Sequence, residues 1–342
     1  MRADRFLCCI AIAAAALFPA AVAHAQSPAE FYKGKNVDML IGYSVGGGYD
    51  VYARLVARHM GKHIPGNPTV TPKNMEGAGS LRLANWLYNV AAKDGTVMGT
   101  IGRGTGFDPL LGHKQAQFDG NKFNWIGSAN DEVSVCVSWN KPGNVTKFEE
   151  LYSKPLTVGG TGAAADTDQF PRILNNVLGT KMKIVTGYPG GNDVNLALER
   201  GEVDGRCGWS WSSVESTRGT WVRDKKINIL VQLALQKHPE LPDVPLITEQ
   251  AKTEEQKQIL TLIFARQALG RPYLAPPGIP ADRVAALRQA FMDTMKDKDF
   301  LAEAEKAQLE ITPIDGEGLQ KLVERVYATP PAIAQKAAEA LK

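Results

Sequence analysis

The first strongly patterned segment of the chain is an apolar run that meets a glycine-rich turn and then a helix. The run Val37–Ile41 leads to Gly46-Gly47-Gly48, and apolar residues then recur at helical spacing as far as Met60. The predicted buried face of this helix carries Tyr52, Leu55, Val56, His59 and Met60, and Asp50 is placed to cap it. Glycine lets backbone approach a ligand, and a first helical turn has free N–H groups. The segment therefore predicts an anion-binding loop, with an ordinary tight turn as the alternative.

The same unit of strand, glycine-bearing loop and helix recurs along the chain. Strands are predicted at 69–74, 96–101, 133–139, 156–162 with a glycine-rich end, 183–186 and 227–234, and another ends near Trp209, with helices between them and helices at the C-terminus. This alternation predicts an α/β fold of mostly parallel sheets flanked by helices. The chain is long enough for two lobes, with a ligand cleft between the carboxyl ends of their strands. We expect lobe 1 at 26–130, lobe 2 at 131–247, and a return to lobe 1 at 248–342.

The N-terminus has the pattern of a secretory signal. Arg2 and Arg5 precede an apolar, alanine-rich stretch, which ends in the small-residue site Ala23-His24-Ala25. Cleavage after Ala25 would leave a periplasmic protein. The formal net charge is +3, and the basic residues form no long run, so nucleic acid is not an expected partner. We expect a monomer without a cofactor or a metal.

Several side chains are candidates for a site. Arg103 stands between glycines after the third strand and could reach a carboxylate, although a solvated loop arginine is the alternative. Arg206 is a weaker candidate for the same role, and an ion pair with Asp204 or a neighbouring residue is the favoured interpretation. Trp209 and Trp211 alternate near a strand end, so one could cover the apolar body of an acid while the other packs in the core.

Two further pairs of residues allow more than one interpretation. Cys136 and Cys207 could form a disulfide in an oxidising compartment or remain two buried thiols. His59 and His63 have a spacing that can bind metal, but no third ligand is evident. Ordinary surface or core histidines are therefore favoured.

One motif points to a different class of protein. Gly42-Tyr43-Ser44-Val45-Gly46 matches the nucleophile elbow of serine hydrolases and lies between a predicted strand and a helix. Asp204 or Asp224 and His238 would complete the order of a catalytic triad. However, the elbow follows the first strand of the mature chain, and no oxyanion segment precedes it. A secreted serine hydrolase using Ser44 is the alternative function.

An ordered set of short motifs resembles the substrate-binding proteins of the tripartite tricarboxylate transporters, the Bug-type periplasmic receptors. The matching pieces are Gly46–Asp50 with Ala53-Arg54, Asn74, Gly77–Gly79, Lys93–Gly95, Gly187–Gly191, Ala197-Leu198, Gly201–Asp204, Leu241–Pro245 and Ala275–Pro280. They span nearly the whole mature chain in the family's order. The resemblance implies a two-lobe periplasmic solute-binding protein of type II that closes on an organic acid and delivers it to membrane permease subunits.

The resemblance also implies which residues contact the ligand. In the family, the loop after the first strand and the glycine loop of the second lobe hold a carboxylate through backbone amides and ordered water. The implied set is Tyr43, Ser44, Gly48, Tyr49, Asp50, Thr161, Gly162, Ala163, Ala164, Asp166, Gly190, Gly191 and Asp193, to which Arg103 and Trp209 are added from the residue patterns. This chain has Val45 where the family usually has proline, and Ala163 to Asp166 where serine and histidine are common. We expect the identity of the acid to differ accordingly.

Overall fold

The computed structural model describes residues 26–342, which form two β-sheets surrounded by helices. The predicted signal sequence and its cleavage site lie outside the described residues. The strands are β1 (Asn36–Ile41), β2 (Thr69–Asn74), β3 (Val97–Thr100), β4 (Asn124–Ser128), β5 (Ser134–Trp139), β6 (Leu156–Gly159), β7 (Met182–Val185), β8 (Gly205–Ser210), β9 (Ile227–Leu233), β10 (Pro272–Ala275) and β11 (Ile314–Asp315). The helices are α1 (Pro28–Tyr32), α2 (Gly48–Met60), α3 (Leu81–Asn89), α4 (Asp166–Ile173), α5 (Gly191–Glu199), α6 (Trp211–Arg223), α7 (Glu254–Phe264), α8 (Ala281–Thr294), α9 (Lys298–Lys306), α10 (Gly316–Tyr327) and α11 (Pro331–Ala340). Across 26–342, no helix combines the length and the apolar character needed to cross a membrane.

The strands divide into two sheets, which confirms the predicted two-lobe α/β fold. The first sheet has the order β11-β4-β10-β3-β1-β2, and the second has the order β7-β6-β8-β5-β9. Parallel pairs join β1 to β2 and β3, and β6 to β7 and β8. Both sheets are nevertheless mixed, because β10 and β5 run antiparallel to both of their neighbours. These are the strands that enter each sheet immediately after the chain crosses from the other.

The chain crosses between the sheets after β4 and returns between β9 and β10. Helix α7 belongs to the returning segment, yet Gln256 Nε2 donates a 2.7 Å hydrogen bond to the carbonyl oxygen of Val177, which follows α4. The returning segment therefore packs against elements of both lobes. The lobe boundaries near residues 130 and 247 stay a prediction.

Helix α2 buries one face against the first sheet and its covering helices α8 and α9. The helical spacing is confirmed in the residues of this face that are at most 1% exposed: Tyr52, Leu55, Val56 and Met60. At its end, His59 Nε2 lies 2.7 Å from Glu303, and His63 Nε2 lies 2.9 Å from Asp297. These histidines therefore connect α2 to the neighbourhood of α9.

A disulfide joins Cys136 of β5 to Cys207 of β8. The two residues face each other in the antiparallel pairing of these strands, with both side chains fully buried. Of the two interpretations that the sequence allowed, the structure therefore has the disulfide. It links residues 71 positions apart, directly beside Arg206.

The two lobes touch through glycine-bearing loops. The N–H of Gly79 donates to the carbonyl oxygen of Thr161 at 3.0 Å, and the N–H of Ser44 points to the carbonyl oxygen of Pro189 at 3.4 Å. At Gly162, where φ is +130°, a Cβ atom would lie 2.5 Å from the nitrogen of Gly79. Such an approach requires glycine, since any side chain would collide with the opposite loop. The structure is a closed arrangement of the two lobes.

Candidate functional site

A cavity of about 50 Å³ lies where the two lobes meet, at the carboxyl ends of β1 and β3. One water molecule needs roughly 10–15 Å³ of such space, so this is a small cavity. Seven of the residues that the sequence pointed to line this cavity: Tyr43, Gly48, Tyr49, Arg103, Thr161, Asp166 and Gly191. Both lobes contribute to its walls.

Four helices begin at the wall of this cavity, namely α2, α4, α5 and α6. Their N-cap residues are Gly47, Ala165, Gly190 and Ser210. Within the described chain, none of these four caps makes a side-chain hydrogen bond to its own helix. A helix N-terminus carries unpaired N–H groups and a partial positive charge. At α6 the N–H of Ser212 already donates to Glu132 Oε1 at 3.3 Å. The termini of α2, α4 and α5 around one small cavity favour an anion.

Asp50 has a different place from the one predicted. It is the third residue of α2, since the helix already begins at Gly48 and Gly47 is its N-cap, so its prediction as the cap is wrong. Its Oδ2 accepts from the N–H of Gly46 at 2.9 Å, while Oδ1 accepts from Arg54 and Asn74, each at 2.9 Å. Asp50 is not among the residues of the cavity wall. It holds the glycine loop from behind.

Arg103 is 2% exposed and forms part of the cavity wall, so it is not a solvated loop arginine. Its Nη1 donates to Gln267 Oε1 at 2.6 Å, and its Nη2 donates to Ser210 Oγ. Its Nε lies 3.3 Å from Asp166 Oδ2. The guanidinium charge of Arg103 therefore already has a carboxylate beside it.

Arg206 also lines the cavity and is 7% exposed. Asp204 pairs with Lys141 at 2.6 Å, so the expected ion pair with Arg206 does not form. Instead, Arg206 Nη1 donates to the carbonyl oxygen of Gly191 at 3.0 Å and to Asn195 Oδ1 at 2.8 Å. Across residues 26–342, no carboxylate forms an ion pair with Arg206, and its Nε has no hydrogen-bond partner. Burial lowers the pKa of this side chain to about 9, which leaves it a cation at neutral pH.

Strand β8 explains why Arg206 reaches the cavity. Alternate residues of a strand face opposite sides, and Arg206, Gly208 and Ser210 all line the cavity. Trp209 is not in the cavity wall: it is 1% exposed and packs in the core of the second lobe. The expectation that Trp209 covers the ligand directly is therefore corrected. Its ring lies 4.5 Å from the guanidinium of Arg206 and supports that side chain from behind.

Trp211 also lies in the core of the second lobe, where its Nε1 donates to Glu240 at 2.6 Å. Three of the predicted residues of the second glycine loop lie beside the cavity rather than in its wall. The N–H of Gly162 donates to Asp168 Oδ2 at 2.9 Å, Ala163 is exposed, and Ala164 is buried in the core. In this loop, Ala165 and Thr167 line the cavity and were not singled out from the sequence.

Ser44, Gly190 and Asp193 form a contact between the lobes. Ser44 Oγ donates to Asp193 Oδ2 at 2.5 Å, and a Cβ atom at Gly190 would lie 2.3 Å from Ser44 Oγ. His238 lies 3.7 Å from Glu310 and 3.8 Å from Glu240. The structure therefore gives Ser44 a carboxylate partner and leaves His238 elsewhere, so the arrangement of a serine hydrolase is not formed.

Two buried arginines behind the cavity were not predicted. Arg266 Nη1 lies 3.6 Å from Asp166 Oδ1, and Arg271 Nη2 lies 3.3 Å from Glu132 Oε2. No pattern in the sequence marks them, because their partners are remote in the chain. In the part of the chain that the structure describes, no three His, Cys, Asp or Glu residues are grouped as a metal site would require.

The chain was compared with known proteins. No family model matches it. It is 27% identical over 290 residues to a UPF0065 protein in the TAR-I ttuE-ttuC′ intergenic region of Agrobacterium vitis, covering 82% of this chain and 77% of that protein.

Solved structures show the same fold. The periplasmic binding protein BugD has a TM-score of 0.72 at 20% identity, covering 90% of this chain and 98% of BugD. MatC from Rhodopseudomonas palustris with bound malate has a TM-score of 0.68 at 19% identity, covering 90% of this chain and 99% of MatC. The resemblance to Bug-type proteins therefore extends to the fold: the chain has the two-lobe fold of the periplasmic binding protein BugD.

Proposed function

We propose that this protein is a periplasmic receptor that captures a small organic acid and delivers it to a tripartite tricarboxylate-type transporter. The observation that carries the proposal is the convergence of the N-termini of α2, α4 and α5, none capped by the side chain of its own N-cap residue, on one cavity between the lobes. Two buried arginines, Arg103 and Arg206, add positive charge to the same walls, and Asp166 is the carboxylate among them. An anion is the ligand that such walls stabilise.

The ligand would be held from both lobes. The contacts we propose in the cavity wall are Tyr43, Gly48, Tyr49, Arg103, Thr161, Asp166, Gly191 and Arg206. Ser44, Asp50, Gly162, Ala163, Ala164, Gly190, Asp193 and Trp209 would act around this wall, by shaping the loops or by closing one lobe on the other. A ligand that contacts both lobes has a higher affinity for the closed state than for the open state. Ligand binding would therefore drive closure.

The solved neighbours support this role. BugD is a periplasmic binding protein, and MatC was solved with malate, which is a dicarboxylate. For the chain studied here we propose export with cleavage after Ala25, a monomeric state, and closure without any covalent step. Ser44 supports the absence of hydrolysis, since its hydroxyl contacts Asp193 instead of a histidine.

The test measures the Tm of the purified mature protein by differential scanning fluorimetry in the presence of each member of a ligand panel. The panel holds mono-, di- and tricarboxylates and aromatic acids, each with its methyl ester or amide as an uncharged control of nearly the same shape. A ligand at a hundredfold excess over its Kd stabilises the folded state by roughly 2.7 kcal/mol, which is a readily measured rise in Tm. We expect at least one acid to raise Tm while its ester does not. Stabilisation by the uncharged compounds but by none of the acids would overturn the proposal.

A further inference from the structure

Asp166 is a carboxylate in the wall of a cavity that otherwise favours anions. It is the first residue of α4, and its side chain is 11% exposed. Its two oxygens lie 3.3 Å from Arg103 Nε and 3.6 Å from Arg266 Nη1. Both guanidiniums are buried, so the charge of Asp166 is matched within the protein.

The carboxylate oxygen of Asp166 on the cavity side is Oδ2. Oδ1 is fully enclosed and lies 3.6 Å from Arg266 Nη1, behind the cavity, whereas Oδ2 lies 3.3 Å from Arg103 Nε in the wall. Within 26–342 the contact between Oδ2 and Arg103 Nε is an ion pair and not a hydrogen bond. An acceptor without a donor is costly once a ligand displaces water, so a ligand that offers an O–H or N–H group to Oδ2 gains affinity.

Arg206 presents the opposite situation. Its guanidinium is buried in the same wall, it has neutral partners in Gly191 and Asn195, and it stacks on Trp209. The two neighbouring guanidiniums of Arg271 and Arg218 are repulsive toward it. The guanidinium of Arg206 therefore lacks a negatively charged partner, and a ligand carboxylate can supply one.

We propose that the ligand is a small monocarboxylate, whose carboxylate lies against Arg206 and whose other end presents an uncharged O–H or N–H donor to Asp166. The inference rests on the proposed function, since it names the class of acid that the receptor takes. A hydroxy acid or the half-amide of a diacid has this combination of groups. The cavity volume of about 50 Å³ restricts the ligand to a short chain.

The same arrangement disfavours two related classes of ligand. A second carboxylate on the ligand would lie against the carboxylate of Asp166, where like charges repel. An ammonium group would lie among Arg103 and Arg266, whose charges already match Asp166. Diacids and amino acids of the same length should therefore bind more weakly than the half-amides.

The experiment compares ligands of matched length by isothermal titration calorimetry. One series is malonamate, malonate and 3-aminopropanoate, and the other is succinamate, succinate and 4-aminobutanoate. We expect a half-amide to bind at least about tenfold more tightly than its diacid and its amino analogue, a difference of about 1.4 kcal/mol. In Asp166→Asn, which keeps the shape of the side chain, the preference over the diacid should fall to about threefold or reverse.

The role of Arg206 is tested with two variants of this residue and one control variant. Arg206→Met should weaken the half-amide by more than about thirtyfold, and Arg206→Lys should restore part of this loss because it restores the charge. Arg200→Met serves as the matched control, since Arg200 is exposed and pairs with Glu202 outside the cavity wall. It should leave all affinities unchanged. Thermal unfolding of each variant shows whether it is folded.

Each outcome separates this inference from the proposed function. A diacid or an amino acid that binds more tightly than its half-amide overturns the inference, while the receptor still binds an organic acid. An unchanged preference in a folded Asp166→Asn variant overturns the role of Asp166. If no member of either series binds but another acid of the wider panel does, the inference fails and the function stands. If no acid binds in either experiment, both fail.

Discussion

Arg271 is the side chain whose replacement tests most directly how the lobes are held together. It precedes β10 of the first sheet, and it reaches the end of β8 and the first turn of α6 in the second lobe. Its Nη1 donates to Ser210 at 3.0 Å, and its Nη2 donates to Ser212 at 3.0 Å and to Ser213 at 2.6 Å. Glu132 lies 3.3 Å from the same guanidinium, and both side chains of this pair are 1% exposed.

Replacing Arg271 with methionine keeps much of the side-chain volume and removes the charge. Three hydroxyl acceptors lose a charged donor, and each such hydrogen bond contributes about 1.5–3 kcal/mol to the free energy of unfolding. The larger effect is on Glu132, which stays buried without its cation. Removal of one partner from a buried ion pair costs about 3–5 kcal/mol. We expect Arg271→Met to lower the free energy of unfolding by about this amount.

The reasoning also predicts coupling between the two partners. In the double variant Arg271→Met/Glu132→Gln no buried charge is left alone, so the loss should be smaller than the sum of the single variants by about 1–3 kcal/mol. Urea denaturation followed by circular dichroism measures all three values. Arg200→Met is the control, since its ion pair with Glu202 is exposed and screened by solvent and should leave the free energy of unfolding nearly unchanged. A loss below about 1 kcal/mol in Arg271→Met, or strict additivity in the double variant, would refute the reasoning.

Two further predictions concern closure and pH. A Cβ atom at Gly48 would lie 1.8 Å from Ser213 Oγ of the opposite lobe, so Gly48→Ala should hold the lobes apart and weaken binding of the best acid by at least about tenfold in calorimetry. The control Arg200→Met lies outside the cavity wall and should bind like the wild type, and equal affinity for both variants would contradict the closed arrangement. Glu310, at 3.7 Å, raises the pKa of His238, and burial opposes this rise. Because the pKa is raised in the folded state, this contribution to stability is fully present below about pH 6.5 and is lost as the pH rises through the folded-state value. Urea unfolding between pH 5.5 and 8.5 should show that Glu310→Gln is less pH-dependent than the wild type, and an identical slope would contradict the assignment.

The backbone of the site could be predicted from the sequence, because its determinants are local. The apolar run, the three glycines and the helical spacing after Gly48 lie within 24 consecutive residues, and the structure has β1, the turn and α2 there. The same holds for the start of α5, where Gly190 is the N-cap and Gly191 is the first helical residue. Even here the helix begins earlier than Asp50, since glycine can serve as an N-cap without a side chain. Local pattern therefore locates these loops and misplaces only a terminus.

The charge pattern of the site could not be predicted in the same way, because it depends on pairs that are remote in sequence. Arg103 was the stronger candidate from its glycine flanks, yet Asp166, which is 63 positions away, lies beside its guanidinium. Arg206 was expected to pair with its neighbour Asp204, but Lys141 takes that carboxylate. In the folded protein Arg103, which was expected to be free for a ligand, has a carboxylate partner. Within the described residues Arg206, which was expected to be paired, has none. Under the proposed function, the unmatched guanidinium is where the ligand's negative charge would lie, so specificity would follow from tertiary pairing and not from any single motif.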